Sequence, residues 1–258
     1  METRPRMAPQ PIDSTALADS ISGMALFFDV DGCLIDLAER PEDVVVPAGL
    51  IGDLERLSAR VGGALALVSG RAIADLDRLF PSVSLPAAGQ HGLEWRNTAA
   101  GAVEHVPVDR AVLDRLAGAL TDFAAGKPGL RVEPKGAAVA IHYRQAPALG
   151  PEVIAFADTL LAGTPGWHAL AGKMVVELKP DGVDKGAAVD RFLALAPFAG
   201  RLPLAAGDDV TDEDAFAAAL RHDGIALQVG DREPTVANRR LPDPAAMRDW
   251  VARLAASR

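Results

Sequence analysis

The sequence predicts an α/β protein: a parallel sheet with crossover helices, interrupted by a separately folded α+β insertion. Three observations carry this. Short runs that are apolar throughout alternate with longer helical segments, as in sheets covered on both faces. That rhythm stops near Trp95 and resumes near Pro180. The stretch between holds strands of another kind, in which charged and apolar side chains alternate. The 258 residues suffice for one large or two modest domains. The expected layout is an N-terminal extension over 1–22, a core over 23–104 and 180–258, and an insertion over 105–179.

Taken in order, residues 1–22 carry three prolines and scattered polar groups and read as a loosely held extension. Met24-Ala-Leu-Phe-Phe28 is too short for a helix, apolar at every position, and ends abruptly in Asp29-Val-Asp31-Gly32, which suits a doubly buried strand. A helix over 48–60, a strand over 64–68 ending in Ser69-Gly-Arg71, a helix over 72–80 and a strand over 84–88 follow. After the break come a helix over 185–196, a strand over 202–206, a helix from Asp212, a strand over 225–229 and a helix over 244–255. These pieces make a Rossmann-like parallel sheet.

The insertion reads as a helix over 110–125, strands over 130–135 and 137–144, a helix over 152–162 and a strand over 173–179. Residues two apart share a face of a strand. Leu130, Val132 and Pro134 therefore oppose Arg131, Glu133 and Lys135, while Met174, Val176 and Leu178 oppose Lys173, Glu177 and Lys179, with Val175 out of pattern. The simplest arrangement has helices on one side of a sheet and an open, charged other side. That face is either solvated, the usual fate of charged strand faces, or it grips a polar ligand.

Composition narrows the function classes. Hydrophobic residues at 49% and charged residues at 24% can bury a core and exclude intrinsic disorder. A net charge of −9 makes nucleic acid and anionic membranes poor partners. The one cysteine, Cys33, excludes an intrachain disulfide and a cysteine-cluster metal site and points to a reducing compartment. No apolar run approaches the ~20 residues of a membrane span, and the opening residues lack a secretory signal's apolar stretch. The expectation is a soluble, cytoplasmic protein.

Four segments fall at or just beyond the carboxyl ends of expected parallel strands, the edge where open α/β sheets bind ligands. They are Asp29-Val-Asp31-Gly32, Ser69-Gly70-Arg71, Lys185-Gly186 at a helix start, and Gly207-Asp-Asp-Val-Thr-Asp-Glu-Asp214. Gathered carboxylates repel one another unless a cation or proton intervenes, and oxygen ligands of this kind suit Mg²⁺. A calcium loop fails, because glycine falls at the fourth place of a loop begun at Asp29 and no glutamate sits at the twelfth. No phosphate-binding P-loop is present.

Phosphomonoester cleavage needs an in-line nucleophile and a proton for a poor leaving group. Asp29 at the strand tip suits the nucleophile, forming an aspartyl-phosphate. Asp31 suits the acid that protonates the leaving oxygen and later the base that activates water. Ser69 and the Gly70 amide, read at a helix N-terminus, suit phosphate oxygens, and Lys185 neutralises both nucleophile and transferring group. Each signal is weak alone; their joint order, each after an expected strand, is the informative fact.

These segments resemble the four motifs of the haloacid dehalogenase (HAD) superfamily, and the insertion resembles the cap domain of its sugar-phosphatase branch. More narrowly, the chain resembles the trehalose-6-phosphate phosphatase family. The resemblance is carried by Leu67-Val-Ser-Gly-Arg71, Gly89-Gln-His-Gly92-Leu-Glu94, Val132-Glu-Pro-Lys135, Ile141-His-Tyr-Arg144, Gly172-Lys-Met-Val-Val-Glu177, Asp184-Lys-Gly186 and the segment from Gly207 to Phe216. It implies a Mg²⁺-dependent hydrolase of trehalose 6-phosphate, paired in its pathway with trehalose-6-phosphate synthase.

By that resemblance Asp29 is the nucleophile and Asp31 the acid/base. Mg²⁺ is held by Asp29, the Asp31 carbonyl and Asp208, with Asp209 and Asp212 in support. Ser69, Gly70, Arg71 and Lys185 hold phosphate, and Glu133, Lys135, Arg144, Lys173 and Glu177 bind the sugar phosphate. His91 lies at the junction of core and insertion, either as a substrate contact or as a histidine satisfied locally. His105, His142, His168 and His222 read as structural or surface groups. Cys33 stands where the family usually has threonine. Competing readings are a related capped phosphatase of sucrose or mannosyl phosphates, a phosphomutase, or a phospho-aspartate signalling domain.

Overall fold

The structure is a computed structural model, and it describes residues 8–12, 17, 20–38, 43–81, 83, 85–98, 101–172 and 174–256. Much of the expected extension, and Lys173, lie outside the described residues. The chain divides into two compact units: Met1–Glu104 with Asp184–Arg258, and His105–Val183.

Unit one is built on a sheet whose strands, in chain order, are β1 (Gln10–Pro11), β2 (Met24–Phe28), β3 (Leu65–Val68), β4 (Ala87–Gly89), β5 (Glu94–Arg96), β6 (Glu104–His105), then β11 (Leu202–Gly207), β12 (Ile225–Val229) and β13 (Arg239–Leu241). Their spatial order is β1-β13-β12-β11-β2-β3-β4-β5-β6. Every pair from β1 through to β4 is parallel, and β5 returns antiparallel to β4. Helices α1 (Leu50–Arg60), α2 (Ile73–Leu79), α5 (Lys185–Leu193), α6 (Asp212–Arg221) and α7 (Pro244–Ala256) accompany it.

All five residues of β2 are buried, as an apolar run at the centre of a doubly covered sheet requires. Successive side chains leave on opposite faces. Phe27 stacks on Phe198 and touches Phe192 of α5, whereas Phe28 meets Trp250 of α7 edge-on. Burying one such ring contributes about 1.5–3 kcal/mol, so the strand is pinned from both sides. From β2 the chain builds outward through β3 and β4 on one flank, then returns to lay β11, β12 and β13 on the other. The switch point therefore falls at β2 and β11. Phe28 stands level with Ala206 and with Leu67, so β2, β11 and β3 end side by side.

Unit two pairs a four-stranded antiparallel sheet with two helices. Strands β7 (Arg131–Lys135), β8 (Ala138–His142), β9 (Trp167–Gly172) and β10 (Val175–Pro180) lie in the order β7-β8-β10-β9. Helix α3 (Arg110–Ala124) is capped by the Asp109 carboxylate on the Ala111 and Val112 amides. Its Leu113, Leu116 and Leu120 repeat on one helical face. They pack with Val153 and Ala157 of α4 (Gly150–Ala162) and with Val139, Ile141, Val176 and Leu178 of the sheet. The opposite sheet face carries Glu133, Lys135, His142 and Glu177, with Val175 among them as the alternation requires.

Two expectations need correction. The charged face is not simply open, because Glu177 and Lys179 are buried. Strands β1, β5, β6, β9 and β13 were not expected: Trp167–Gly172 has no clean alternation, Arg239–Leu241 is short and doubly basic, and the other three span only two or three residues.

Candidate active site

Asp29 is the first residue past β2, and its amide donates to the Ala206 carbonyl at 2.9 Å. Gly207 ends β11, which carries Asp208 to the same edge. Ser69 follows β3, buried, with its amide on the Ala88 carbonyl. Lys185 opens α5 behind the N-cap Asp184, whose carboxylate accepts from the Ala187 amide at 2.7 Å. The expected convergence of Asp29, Lys185 and Asp208 is thus produced by parallel strand tips and one helix start.

The Lys185 ammonium is buried between two carboxylates, 2.6 Å from Asp212 Oδ1 and 2.9 Å from Asp29 Oδ1. The first contact is an aligned hydrogen bond; the second is an ion pair outside hydrogen-bonding alignment. Burial works to lower the ammonium's pKa, but Asp212 and Asp29 outweigh it and hold the group above the ordinary lysine range. Burial likewise lifts Asp29 well above the usual carboxylate range, with Lys185 opposing and Asp212 and Asp208 adding repulsion. Asp208 is pushed up to about 7, mainly by burial and then by the Asp212 charge. One lysine does not balance three carboxylates.

Asp29, Asp208 and Asp212 each offer an oxygen within 4.8 Å of the others, a spacing that suits one shared cation. Hydrogen bonding separates their roles. Asp212 is committed on both sides, Oδ1 to Lys185 and Oδ2 to the amides of Asp208 at 3.1 Å and Asp209 at 3.0 Å. By contrast Asp208 Oδ1 is buried without a hydrogen-bond partner, which is costly unless a cation meets it, while Asp29 Oδ1 is met by the Lys185 ammonium alone. An all-oxygen donor set fits a hard divalent ion. Gly32, at φ +79°, admits the Asp208 carboxylate into space that any Cβ would occupy. Asp208 also faces a cleft of about 380 Å³ shared with Gly32 and Arg232. The Arg232 Nε donates to the Asp208 carbonyl at 3.2 Å, bracing that loop.

Other expected residues lie elsewhere or do other things. Arg71 is engaged by Asp31: Nε and Nη2 form a bidentate pair with its carboxylate at 2.6 and 2.7 Å. Gly70 is not on a helix terminus, since α2 starts only at Ile73 after the N-cap Ala72. Asp209 is exposed, with Oδ1 on the Val210 amide at 2.7 Å. His91 belongs to a tight turn between β4 and β5, its amide on the Ser69 carbonyl.

On unit two, Lys135 Nζ is 2.9 Å from Glu177 Oε2, and Glu133 Oε2 is 2.6 Å from His142 Nε2. Glu177 Oε1 is buried without a hydrogen-bond partner. Arg144 is exposed in the turn after β8. His142, read from sequence as structural or surface, thus joins the charged face; its alternation with Ala138 and Ala140 was the available signal.

Comparison with known proteins places this architecture. A family model described as trehalose-phosphatase matches residues 27–245. A probable trehalose-phosphate phosphatase of Sinorhizobium fredii is 42% identical over 243 residues, covering 93% of this chain and 91% of that protein. The trehalose-6-phosphate phosphatase of Escherichia coli is 39% identical over 206 residues, covering 80% and 77% respectively. In fold, the chain resembles the C-terminal domain of Candida albicans trehalose-6-phosphate phosphatase, with a TM-score of 0.81 at 21% identity over 96% of this chain and 98% of that one. A phosphatase of the HAD superfamily from Bacteroides thetaiotaomicron also shares the fold, with a TM-score of 0.60 at 14% identity over 87% and 91%. The match spans most of the chain and both of its units, and the chain belongs to the trehalose-phosphatase family.

Proposed function

We propose that this protein hydrolyses trehalose 6-phosphate to trehalose and inorganic phosphate through a phosphorylated Asp29. The observation that carries the reading is the cluster of Asp29, Asp208 and Asp212 around Lys185 at the parallel strand tips, in a chain of this family.

An oxygen of Asp29 attacks phosphorus as the bond to the sugar oxygen breaks. Asp31 gives its proton to the departing sugar oxygen. It then takes a proton from the water that attacks the aspartyl-phosphate, releasing phosphate and restoring Asp29. Lys185 opposes the burial that favours the protonated form of Asp29, and it offsets charge on the transferring group. Arg71 pairs with both Asp31 oxygens, so it must release one of them before that carboxyl can give or take the proton. Ser69, Gly70 and Arg71 form the loop assigned to phosphate.

Mg²⁺ is the proposed cation, held by Asp29, Asp208 and the Asp31 carbonyl, with Asp209 and Asp212 in support. When bound it supplies positive charge to the equatorial phosphate oxygens. The buried Asp208 Oδ1, which has no hydrogen-bond partner, supports this assignment. On unit two, Glu133, Lys135, Arg144, Lys173 and Glu177 are assigned to the sugar phosphate; the buried, unsatisfied Glu177 Oε1 supports a hydroxyl-binding role. The division into a catalytic core domain and an inserted sugar-recognising domain is part of the same proposal. So are a cytoplasmic setting, supported by a single buried thiol, and a place directly after the synthase that makes trehalose 6-phosphate. Among the described residues, no helix is long and apolar enough to cross a membrane.

The test is phosphate release from trehalose 6-phosphate compared with glucose 6-phosphate and sucrose 6-phosphate. The reading expects a kcat/KM at least about a hundredfold higher for the first, as matched hydroxyl recognition allows. Equal rates on all three would overturn it.

A further inference from the structure

Between β4 and β5 the chain turns sharply over Gln90–Gly92. Two consecutive residues with side chains, Gln90 and His91, sit at φ +49° and +55°, and Gly92 follows at +97°. Left-handed backbone at adjacent non-glycine residues is strained and persists only where the surroundings over-determine it. Here the surroundings are the two segments assigned above to phosphate. On one side the Gln90 amide donates to the Arg71 carbonyl at 2.9 Å, and the His91 amide to the Ser69 carbonyl at 3.0 Å. The His91 ring lies so close to Gly70 that a Cβ there would stand 2.8 Å from its Cε1 and Nε2. Glu94 ties the same turn to the start of α2, accepting from Gln90 Nε2 at 2.7 Å and from the Ile73 amide at 2.9 Å. On the other side a Cβ on Gly92 would stand 2.8 Å from the carbonyl oxygen of Asp184, the N-cap of the helix that Lys185 opens.

We infer that the Gln90–Gly92 turn sets the spacing between the Ser69–Arg71 loop and the Lys185 helix, and that His91 is a positioning residue that seats Gly70 for phosphate without touching the sugar. This rests on the reading of Ser69, Gly70 and Lys185 as phosphate holders. The physical need is plain: a site that stabilises a small anion through fixed donors loses much of its effect when one wall shifts by about 1 Å. The turn supplies the loop with two backbone hydrogen bonds and a ring wall beneath it, and the Glu94 carboxylate just beyond the turn holds the Ile73 amide. Glycine at position 70 lets the ring approach; glycine at 92 lets the turn reach the N-cap.

The experiment compares Ser69→Ala, His91→Ala and His91→Phe, measuring inhibition by inorganic phosphate and the KM and kcat for trehalose 6-phosphate and for an aryl phosphate. An inhibition constant does not depend on the fraction of protein folded, so a partly unfolded variant still reports. His91→Ala should raise the phosphate inhibition constant about tenfold and raise KM in parallel for both substrates, the mark of a displaced phosphate wall. His91→Phe, which keeps a planar ring against Gly70, should stay within about threefold of the parent. A loss confined to trehalose 6-phosphate would make His91 a sugar contact and overturn the inference. So would unchanged phosphate inhibition in His91→Ala while Ser69→Ala weakens it. If Ser69→Ala leaves phosphate inhibition untouched, the phosphate loop itself is misassigned and the failure lies in the underlying reading.

Discussion

The charged residues of the two units are arranged on opposite principles. In unit one, Asp29, Asp208 and Asp212 crowd one buried ammonium at the ends of parallel strands, and the cluster is short of positive charge. In unit two, polar side chains meet in pairs along antiparallel strands, Lys135 in an ion pair with Glu177 and His142 hydrogen-bonded to Glu133. An unbalanced cluster of carboxylates holds repulsion that a bound cation relieves. A matched set has little such drive, but it presents donors and acceptors at fixed spacing, which is what a neutral sugar needs. On the proposed function this contrast separates chemistry from recognition, and variants in each unit test the two roles separately.

The largest expected effect comes from the unbalanced side. Asp29→Asn should lower kcat by at least about 10⁴-fold, as the loss of other nucleophiles does. The fold should survive. Because burial raises the Asp29 pKa in the folded state, its ionised form opposes folding as pH rises, and the amide removes that penalty. The thermal midpoint of Asp29→Asn in chelator, read by calorimetry, should therefore equal or exceed the parent's. Appreciable phosphatase activity in this variant would remove Asp29 as nucleophile.

Chelation comes next. EDTA should silence turnover and Mg²⁺ restore it. Saturating Mg²⁺, at about a hundred times its dissociation constant, adds about 2.7 kcal/mol, or roughly 5 °C for a protein of this size. Asp208→Asn should lose most of that shift. The Asp208 carboxyl, pushed up to about 7, holds a proton that the cation must displace, so titration calorimetry should show Mg²⁺ binding weaken as pH falls through about 7. Binding indifferent to pH would contradict the charge imbalance.

The balanced side should respond more mildly and selectively. Glu177→Ala should cut kcat/KM for trehalose 6-phosphate about 10- to 100-fold, while hydrolysis of an aryl phosphate stays within about threefold. Equal losses on both substrates would show that unit two does not sort sugars. Smallest of all is Cys33, fully buried, its thiol pushed up by burial and by Asp29. It should resist iodoacetamide in the folded protein, and Cys33→Thr should change kcat by less than about threefold, because the residue serves packing.

What could be read from sequence follows the same division. The strand tips were legible because doubly buried strands are apolar throughout and end abruptly, so Met24–Phe28 announces Asp29 and the parallel order brings Asp208 and Lys185 to it. The charged face of unit two was legible from alternation alone. Long-range pairings were not: Arg71 lies 40 residues from Asp31, and nothing local shows that both oxygens of that carboxyl are taken. Equally hidden was the Gln90–Gly92 turn, since left-handed backbone at glutamine and histidine is imposed by neighbours and leaves no compositional mark. The burial of Glu177 and Lys179 was missed because alternation reports which residues share a face and is silent on what covers it.

The most direct test of the account is to quench the enzyme during steady turnover of trehalose 6-phosphate, reduce with borohydride, and map the product by mass spectrometry. Reduction converts an acyl phosphate to an alcohol, so the account predicts homoserine at position 29. Homoserine at any other aspartate, or none while phosphate is released at the normal rate, would contradict it.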